Sequence, residues 1–411
     1  MLDYTTRRYV VEYRAATDNE IATDLLFLQR ANKKPESVGF IPRVPLWLGR
    51  FPEKASFTQL VALFATLWRL TVGLPFHLLR GGQLLWLRCR LGPNESSVLQ
   101  NADKVGLALS SRAVEVVKAP EISAPEVWIV PPWINVGEGR RQDFSLLHLI
   151  GYRDIALAVK LAVIATWTMG RDARRRRWIL QTYTAVPWFL VRIALSRLDA
   201  DFVMAEHFDR WAVLVDMTVR AARRARRPGR KLTLVQHGYI GAIGEEEEHF
   251  VPPCKLSTVT TLYVYDDAAD RMFRSVVLTS HAAIGVVTHL FKPLITLTLV
   301  ATDESPRVLF VGHPLCADLQ LSVLDRLQGR AINAFYKPHP LAGLPASCRN
   351  RSWKIIEDNT LFPVVDLVVS YRSTLVSEYE NVGIRSVVHD LTNETNECSH
   401  VVTKIIDLLP R

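Results

Sequence analysis

The sequence predicts an α/β fold organised as two facing, doubly wound domains. Three observations carry that reading. Short apolar runs alternate with helical periods from Asp201 onward. Two of those runs end in histidine-bearing turns, Val235–Gly238 (VQHG) and Lys337–Pro340 (KPHP), and another ends in Ser370–Thr374 (SYRST). In an open parallel sheet, ligands sit at the carboxyl ends of strands. At 411 residues, 49% hydrophobic and 22% charged, the chain can fill two cores of ordinary size.

Each element has its own reason. Phe202–Ala205 is a short apolar strand, and Arg210–Arg227 is a helix with Trp211, Val213, Leu214, Met217 and Ala221 on one face. Its arginines gather in the last turns, where they favour the dipole, and Pro228-Gly229 ends it. Leu232–Gln236 is the next strand, completing a βαβ unit and so implying a parallel sheet. Strands follow at Thr261–Tyr265, Arg307–Gly312, Ile332–Tyr336, Val364–Ser370 and Ser386–Asp390, with helices at Asp318–Leu327 and from Thr374 to Asn381. Charge and turn residues cluster at Glu245–Pro253, which sets the expected domains at 1–250 and 251–411.

The N-terminal part is less regular. Val127–Pro132 reads as a strand stopped by prolines, and Asp154–Met169 and Trp178–Leu198 read as helices. Phe57–Leu79 is long enough to span a bilayer, but Arg69 lies centrally, Pro75 interrupts it, and Gln59 and His77 add polarity. The region near 57–90 is therefore expected as a buried or interfacial amphipathic helix. Trp68, Trp86, Arg80, Arg88 and Arg90 then read as interface anchors, with core tryptophan as the alternative.

The net charge of +9 is local. Arg171–Arg177 carries +4 and Arg220–Lys231 carries +7, leaving the rest near −2. Such runs suit an anionic surface or plain solvation, and no nucleic-acid-binding signature accompanies them. Five scattered cysteines without a CxxC argue against a disulfide framework or structural zinc and fit a reducing cytoplasm. The first twenty residues lack the apolar core of a secretory signal. The expected location is cytoplasmic, with peripheral contact to the inner face of the cytoplasmic membrane.

Chemistry concentrates at the strand tips. His237 is a candidate general base, since an imidazole titrates close to working pH, and Gly238 allows close approach of a ligand. Glu206 and Asp209 flank another strand tip and are alternative bases, as is Asp216. Lys337 and His339, bracketed by Pro338 and Pro340, form a stiff loop suited to a pyrophosphate. Ser370, Ser373 and Thr374 bring hydroxyls and fresh backbone N–H groups to a helix start, and Glu378 one turn on suits ribose hydroxyls. Gly312-His313-Pro314 is a further strand-end turn, ranked below Lys337–Pro340 because no lysine or hydroxyl cluster follows it. Asp199-Ala200-Asp201 matches DxD by chance, His281, His289 and His313 lack ligand spacing, and neither metal nor cofactor is expected.

The order HG, then K-x-H-P, then S-x-x-S-T-x-x-x-E resembles bacterial GT-B-fold transferases of cell-surface polymers over Asp201–Asp390. These include Kdo- and sialic-acid-type capsule transferases and CDP-glycerol glycerophosphotransferases. The resemblance implies two Rossmann-like domains, with His339, Ser373 and Thr374 holding the donor phosphates and His237 acting as base. It also implies an inverting, metal-independent glycosyltransferase acting from a nucleotide-sugar donor on a polysaccharide or lipid-linked acceptor. Polyol-phosphate transfer from a CDP-linked donor and a non-catalytic nucleotide-sugar-binding subunit are the alternatives. Three departures stand out: Asp266-Asp267 is followed by Ala268 rather than glycine, Gln236 replaces a tryptophan, and Ser370-Tyr371 replaces Ser-Asp.

Overall fold

The computed structural model describes residues 3–30, 63, 65–91, 96–109, 114, 116–117, 119, 121–134, 143–172, 175–225, 230–238, 251–293, 295–300, 303–339, 344–358, 361–391 and 397–409. The chain divides into two compact units, Met1–His237 with His249–Leu290, and Gly238–Glu248 with Phe291–Arg411. Each is an α/β unit on a wholly parallel sheet.

In the first unit, helix α1 (Tyr4–Arg30) precedes a π-helical turn, Trp68–Val72, that runs into α2 (Gly73–Arg90). After α3 (Ser96–Asn101) come β1 (Lys104–Leu107), β2 (Val127–Val130) and β3 (Asp143–Ser145). Helices α4 (Tyr152–Arg171) and α5 (Ala185–Leu195) lead to β4 (Asp201–Met204), α6 (Arg210–Arg224) and β5 (Leu232–Val235). The unit closes with β6 (Val259–Val264), α7 (Asp267–Met272), α8 (Ser280–Gly285) and β7 (Val287–Leu290). Its seven strands lie in the order β3-β2-β1-β4-β5-β6-β7. The central strands are apolar without alternation because helices cover both faces: Phe202, Val203, Met204, Leu232 and Leu234 are all fully buried.

Strands β6 and β7 correct the expected boundary at 250/251. β6 pairs with β5, and β7 with β6, so the first sheet continues past the charged turn. The predicted helix Trp178–Leu198 is also corrected: Arg176–Thr184 is 3-10 and the α-helix begins at Ala185. Pro187 lacks an N–H and clashes with a preceding carbonyl, so it fits a first helical turn but not a helix interior.

Helix α1 shows weak amphipathic patterning and is held largely by side-chain bonds. Tyr13 packs against Trp188 and Phe189, with ring centroids 5.3 and 5.2 Å away. Glu12 pairs with buried Arg192 at 2.9 Å, Asp18 with Arg175 at 2.7 Å, and Glu20 with buried Arg210. Removing one partner of such buried pairs costs more than the pair contributes, because the other charge is left in the core.

The second unit contains β8 (Arg307–Val311), α9 (Ala317–Arg326), β9 (Asn333–Lys337), β10 (Lys354–Ile355), β11 (Leu367–Tyr371), α10 (Thr374–Asn381), β12 (Arg385–His389) and α11 (Glu397–Leu408). Strand order is β10-β9-β8-β11-β12. One core, with Val308, Phe310, Tyr336, Leu367 and Val369, packs under α9 and α11; another, with Leu309, Phe335, Val368 and Tyr379, lies on the opposite face.

Gly312, the first residue after β8, is required by packing. A Cβ there would lie 2.1 Å from the hydroxyl of Tyr336, which is fully buried. Gly312→Ala is expected to destabilise the second unit by about 1–3 kcal/mol through overpacking. Gly82→Ala on α2, where a Cβ meets nothing within 4 Å, should raise stability slightly. Urea-unfolding midpoints followed by circular dichroism check both.

Candidate functional site

Both sheets contain the same topological break. In the first, β1 continues to β2 and β3 on one side and is flanked by β4 on the other; in the second, β8 is flanked by β9 and β11 in the same way. Connections leaving the two central strands pass to opposite faces, which opens a crevice at their carboxyl ends.

In the first unit, β4 ends at Met204 and the chain runs through Ala205, Glu206, His207, Phe208 and Asp209 into α6. Asp209 caps α6, its Oδ1 accepting from the N–H groups of Trp211 and Ala212 at 2.9 Å each. Burial, then the charges of Glu206 and Glu20, raise the Asp209 pKa well above its ordinary value, against the amide of Ala212, which lowers it. The Glu206 side chain lies beside Asp209 and adds to that upward shift. Glu206 is buried, and its Oε1 has no hydrogen-bond partner among the described residues. The two expected bases thus lie together, and Asp209 is the one whose pKa is raised.

His207, which the sequence reading passed over, organises the neighbouring tip. The His237 backbone N–H donates to His207 Nε2 at 3.0 Å, so that nitrogen carries no proton. The ring also hydrogen-bonds the Val235 backbone, and lies 4.2 Å, centroid to centroid, from the His237 ring. Burial, then the nearby His237, holds His207 well below the usual imidazole pKa, so it is neutral at pH 7. Its role is to tie the β4 and β5 tips together and hold His237, which is only partly buried, at the end of β5. A histidine two residues beyond a predicted strand was the available signal.

Asn19 of α1 fixes the same loop from below. Its amide donates to the carbonyls of Phe208 at 2.9 Å and Cys254 at 2.8 Å, while its oxygen accepts from the Cys254 N–H at 2.7 Å. On the tip beyond β2, Trp133 stacks with Trp211 in the first turn of α6, with centroids 6.3 Å apart.

Other candidates in this unit prove structural. Asp216 is buried and accepts from the backbone and hydroxyl groups of Ser257 and Thr258 at 2.7–3.1 Å, anchoring the approach to β6. Asp199 and Asp201 stand at the amino end of β4, bonding Arg230 and the Lys231 N–H, away from the strand tips.

In the second unit the break lies between β8 and β11, and it selects His313. The motif ranked lower in the sequence is therefore the one at the switch point. The His313 ring lies 5.2 Å from His339 and 5.5 Å from Tyr371, centroid to centroid. Its Nδ1 accepts from the Leu315 N–H at 3.2 Å, which leaves the proton of the neutral ring on Nε2. Burial, then His339, lowers its pKa to about 4. His313 therefore offers an N–H donor without a charge at pH 7.

Ser370 and Ser373 bond each other through their hydroxyls at 3.0 Å. Ser373 occupies the N-cap position of α10, but its side chain makes no capping bond there. Thr374 opens that helix, and exposed Arg372 precedes it. Uncapped first-turn N–H groups and an adjacent guanidinium are what an anion requires. Glu378, one turn in, is buried.

Lys337 requires correction. Its ammonium is buried and donates to the carbonyls of Asp358 and Leu361 at 2.9 Å each, and it lies 4.6 Å from the Phe362 ring centroid. Its charge holds those two carbonyls, and Arg372 in the turn after β11 is exposed. Pro340 lies outside the described residues.

The Asp209 carboxyl yields a pH-dependent prediction. Raised above its unfolded value of 3.8, it stabilises the fold below that pH and loses this contribution as pH rises through the folded value. Asp209→Asn keeps a good N-cap and removes the like-charge coupling to Glu206. The variant should gain thermal stability over the wild type at pH 8 and little or none at pH 4, measured by differential scanning fluorimetry across pH.

No family model matches this chain, and no curated protein matches it. Eleven chains of solved structures match, among them the UDP-N-acetylglucosamine 2-epimerase from Rickettsia bellii. That pair shares 11% identity over 75% of this chain and 96% of the other, with a TM-score of 0.35. A likeness at that level carries no argument about activity.

Proposed function

We infer that the protein is a glycosyltransferase that moves a sugar from a nucleotide-activated donor to a polysaccharide or lipid-linked acceptor. The observation that carries this reading is the tip of the second sheet. His313, His339 and the uncapped start of α10 meet at its switch point, with Arg372 adjacent. That combination of imidazoles, helix N-terminus and a nearby guanidinium suits the diphosphate or monophosphate of a nucleotide.

The first unit supplies proton chemistry. A base takes the proton of the acceptor hydroxyl as its oxygen forms the bond to the anomeric carbon, and His237 is the first unit's candidate for that role. The bond from that carbon to the donor phosphate oxygen breaks, and the nucleotide leaves with the electron pair. His313 Nε2–H, His339, Arg372 and the first-turn amides of α10 stabilise the charge that develops on the leaving phosphate. The Glu206–Asp209 pair offers carboxyl oxygens to acceptor hydroxyls, and the Trp133–Trp211 stack offers an apolar surface to a sugar ring. Attack from the side opposite the leaving group inverts the anomeric centre.

His339→Ala and His313→Ala are expected to weaken nucleotide binding, read as loss of the thermal shift produced by UDP, CDP or CMP. His237→Ala should retain that shift and lose about 10²–10⁴-fold in turnover, read by product mass after incubation with nucleotide sugars and acceptor extract. Nucleotide binding that ignores both second-unit histidines would overturn the donor assignment. Transfer of a polyol phosphate rather than a sugar, seen in the product mass, would replace the reaction class.

A further inference from the structure

Helix α2 is packed inside out. The face it turns to the protein carries Gly73, His77, Gly81 and Leu84, all buried. The glycines permit close approach to α4: a Cβ at Gly81 would lie 2.5 Å from Val159, and one at Gly73 would touch Thr166. His77 donates from Nε2 to Thr166 Oγ1 at 2.9 Å, because that hydroxyl already gives its own proton to the Ala162 carbonyl.

The outward face, continued through the π-helical turn, is a row of large apolar side chains. Leu67, Leu70, Leu74, Leu78, Leu85 and Trp86 are all exposed, Leu70 by 64% and Leu78 by 57%. Scattered exposed leucines are ordinary, but a continuous stripe on the order of 30 Å long marks an interaction surface.

Charge identifies the occupant. No Asp or Glu occurs between Glu53 and Glu95, while arginines stand at 69, 80, 88 and 90. Beside α2, the antiparallel helix α4 exposes Arg153, Lys160, Trp167 and Arg171, and its one acid, Asp154, is buried against Arg197. Two cations lie over exposed tryptophan rings: Arg90 over Trp86 at 3.7 Å and Arg171 over Trp167 at 4.5 Å. Apolar stripe, aromatic–arginine rim and missing carboxylates are the chemistry of an anionic lipid interface. A second copy of the chain would set these arginines against one another. Among the described residues no helix is long and apolar enough to cross a membrane.

We propose that α2 and α4 form a docking face that lies in the plane of an anionic lipid bilayer, with the α2 leucines entering the acyl boundary and the arginines contacting headgroup phosphates. The face stands independently of the catalytic assignment.

The full-length protein is to be sedimented with vesicles of phosphatidylcholine alone and of phosphatidylcholine with 30% phosphatidylglycerol, at low and high salt. The expected result is at least tenfold tighter binding to the anionic vesicles, weakened by salt. Leu70→Glu with Leu78→Glu should cut that binding at least tenfold, and Arg90→Ala with Arg171→Ala should reduce the anionic preference. Both side-chain pairs are largely outside the core, so thermal midpoints and nucleotide-induced shifts should match the wild type. Equal binding to both vesicle types, or none, would overturn the proposal. So would a dimer in light scattering that the leucine double variant dissociates.

Discussion

Parallel pairing around a strand that has neighbours from both directions of the chain leaves a break in each sheet, where the first unit places Glu206 and Asp209 and the second places His313 and the serine turn. Between β1 and β4, and between β8 and β11, the connections depart to opposite faces. The exposed tips need anchoring, because a free loop would lose the alignment that catalysis demands. The first unit anchors its tip with Asn19 beneath Phe208 and with His207 on the His237 amide. In the second unit, buried Gln320 donates both to the Val311 carbonyl and to His389, fixing the end of β8 from behind. Gly312 closes over the Tyr336 hydroxyl at the same strand end. Comparable strand geometry is thus secured by different side chains.

Burial gives the two tips opposite electrostatic characters. Around Asp209 it places carboxyls together, and burial with the charges of Glu206 and Glu20 raises the Asp209 pKa. Around His313 it keeps imidazole neutral, so the tip presents N–H groups without the desolvation cost of a buried cation. Arg372, in the turn between β11 and α10, is exposed. Proton exchange suits the first environment and phosphate recognition the second. Each arrangement sacrifices stability at the site, since hydrophobic replacements of buried ionisable groups are often neutral or better.

Much of the sheet architecture was legible because parallel strands buried on both faces are uniformly apolar. The strands around residues 202, 234, 309, 335 and 369 appear within two or three residues of their expected ends. Short strands at sheet edges were not legible: β3, β7 and β10 lack apolar runs, and their place depends on a neighbour's edge. Helix α1 escaped for a related reason, since its fastening is by Glu12, Asp18, Asn19 and Glu20 to partners distant in sequence. At the tips, motif reading placed His237, His339 and the serine turn at strand ends, but it could not display the surroundings of Lys337. Sequence shows a cation beside a histidine, not that its ammonium is consumed by the Asp358 and Leu361 carbonyls. His313 rose in importance because strand order, which a single sequence does not display, puts it at the break.

Helix α2 shows why hydrophobicity alone misleads about burial. A leucine-rich segment reads as core, yet its core side is made of glycine and histidine, residues that let two backbones approach and exchange one hydrogen bond with Thr166. Turning the leucines inward would require space that the Gly81–Val159 contact does not leave, and would send His77 out. Burial lowers the His77 pKa to about 4, so it stays neutral at pH 7 and packs as an apolar ring with one N–H donor. Close helix packing and an outward apolar face are therefore one choice made by the same sequence: the small residues that bring α2 against α4 are what leave its leucines facing away from the protein.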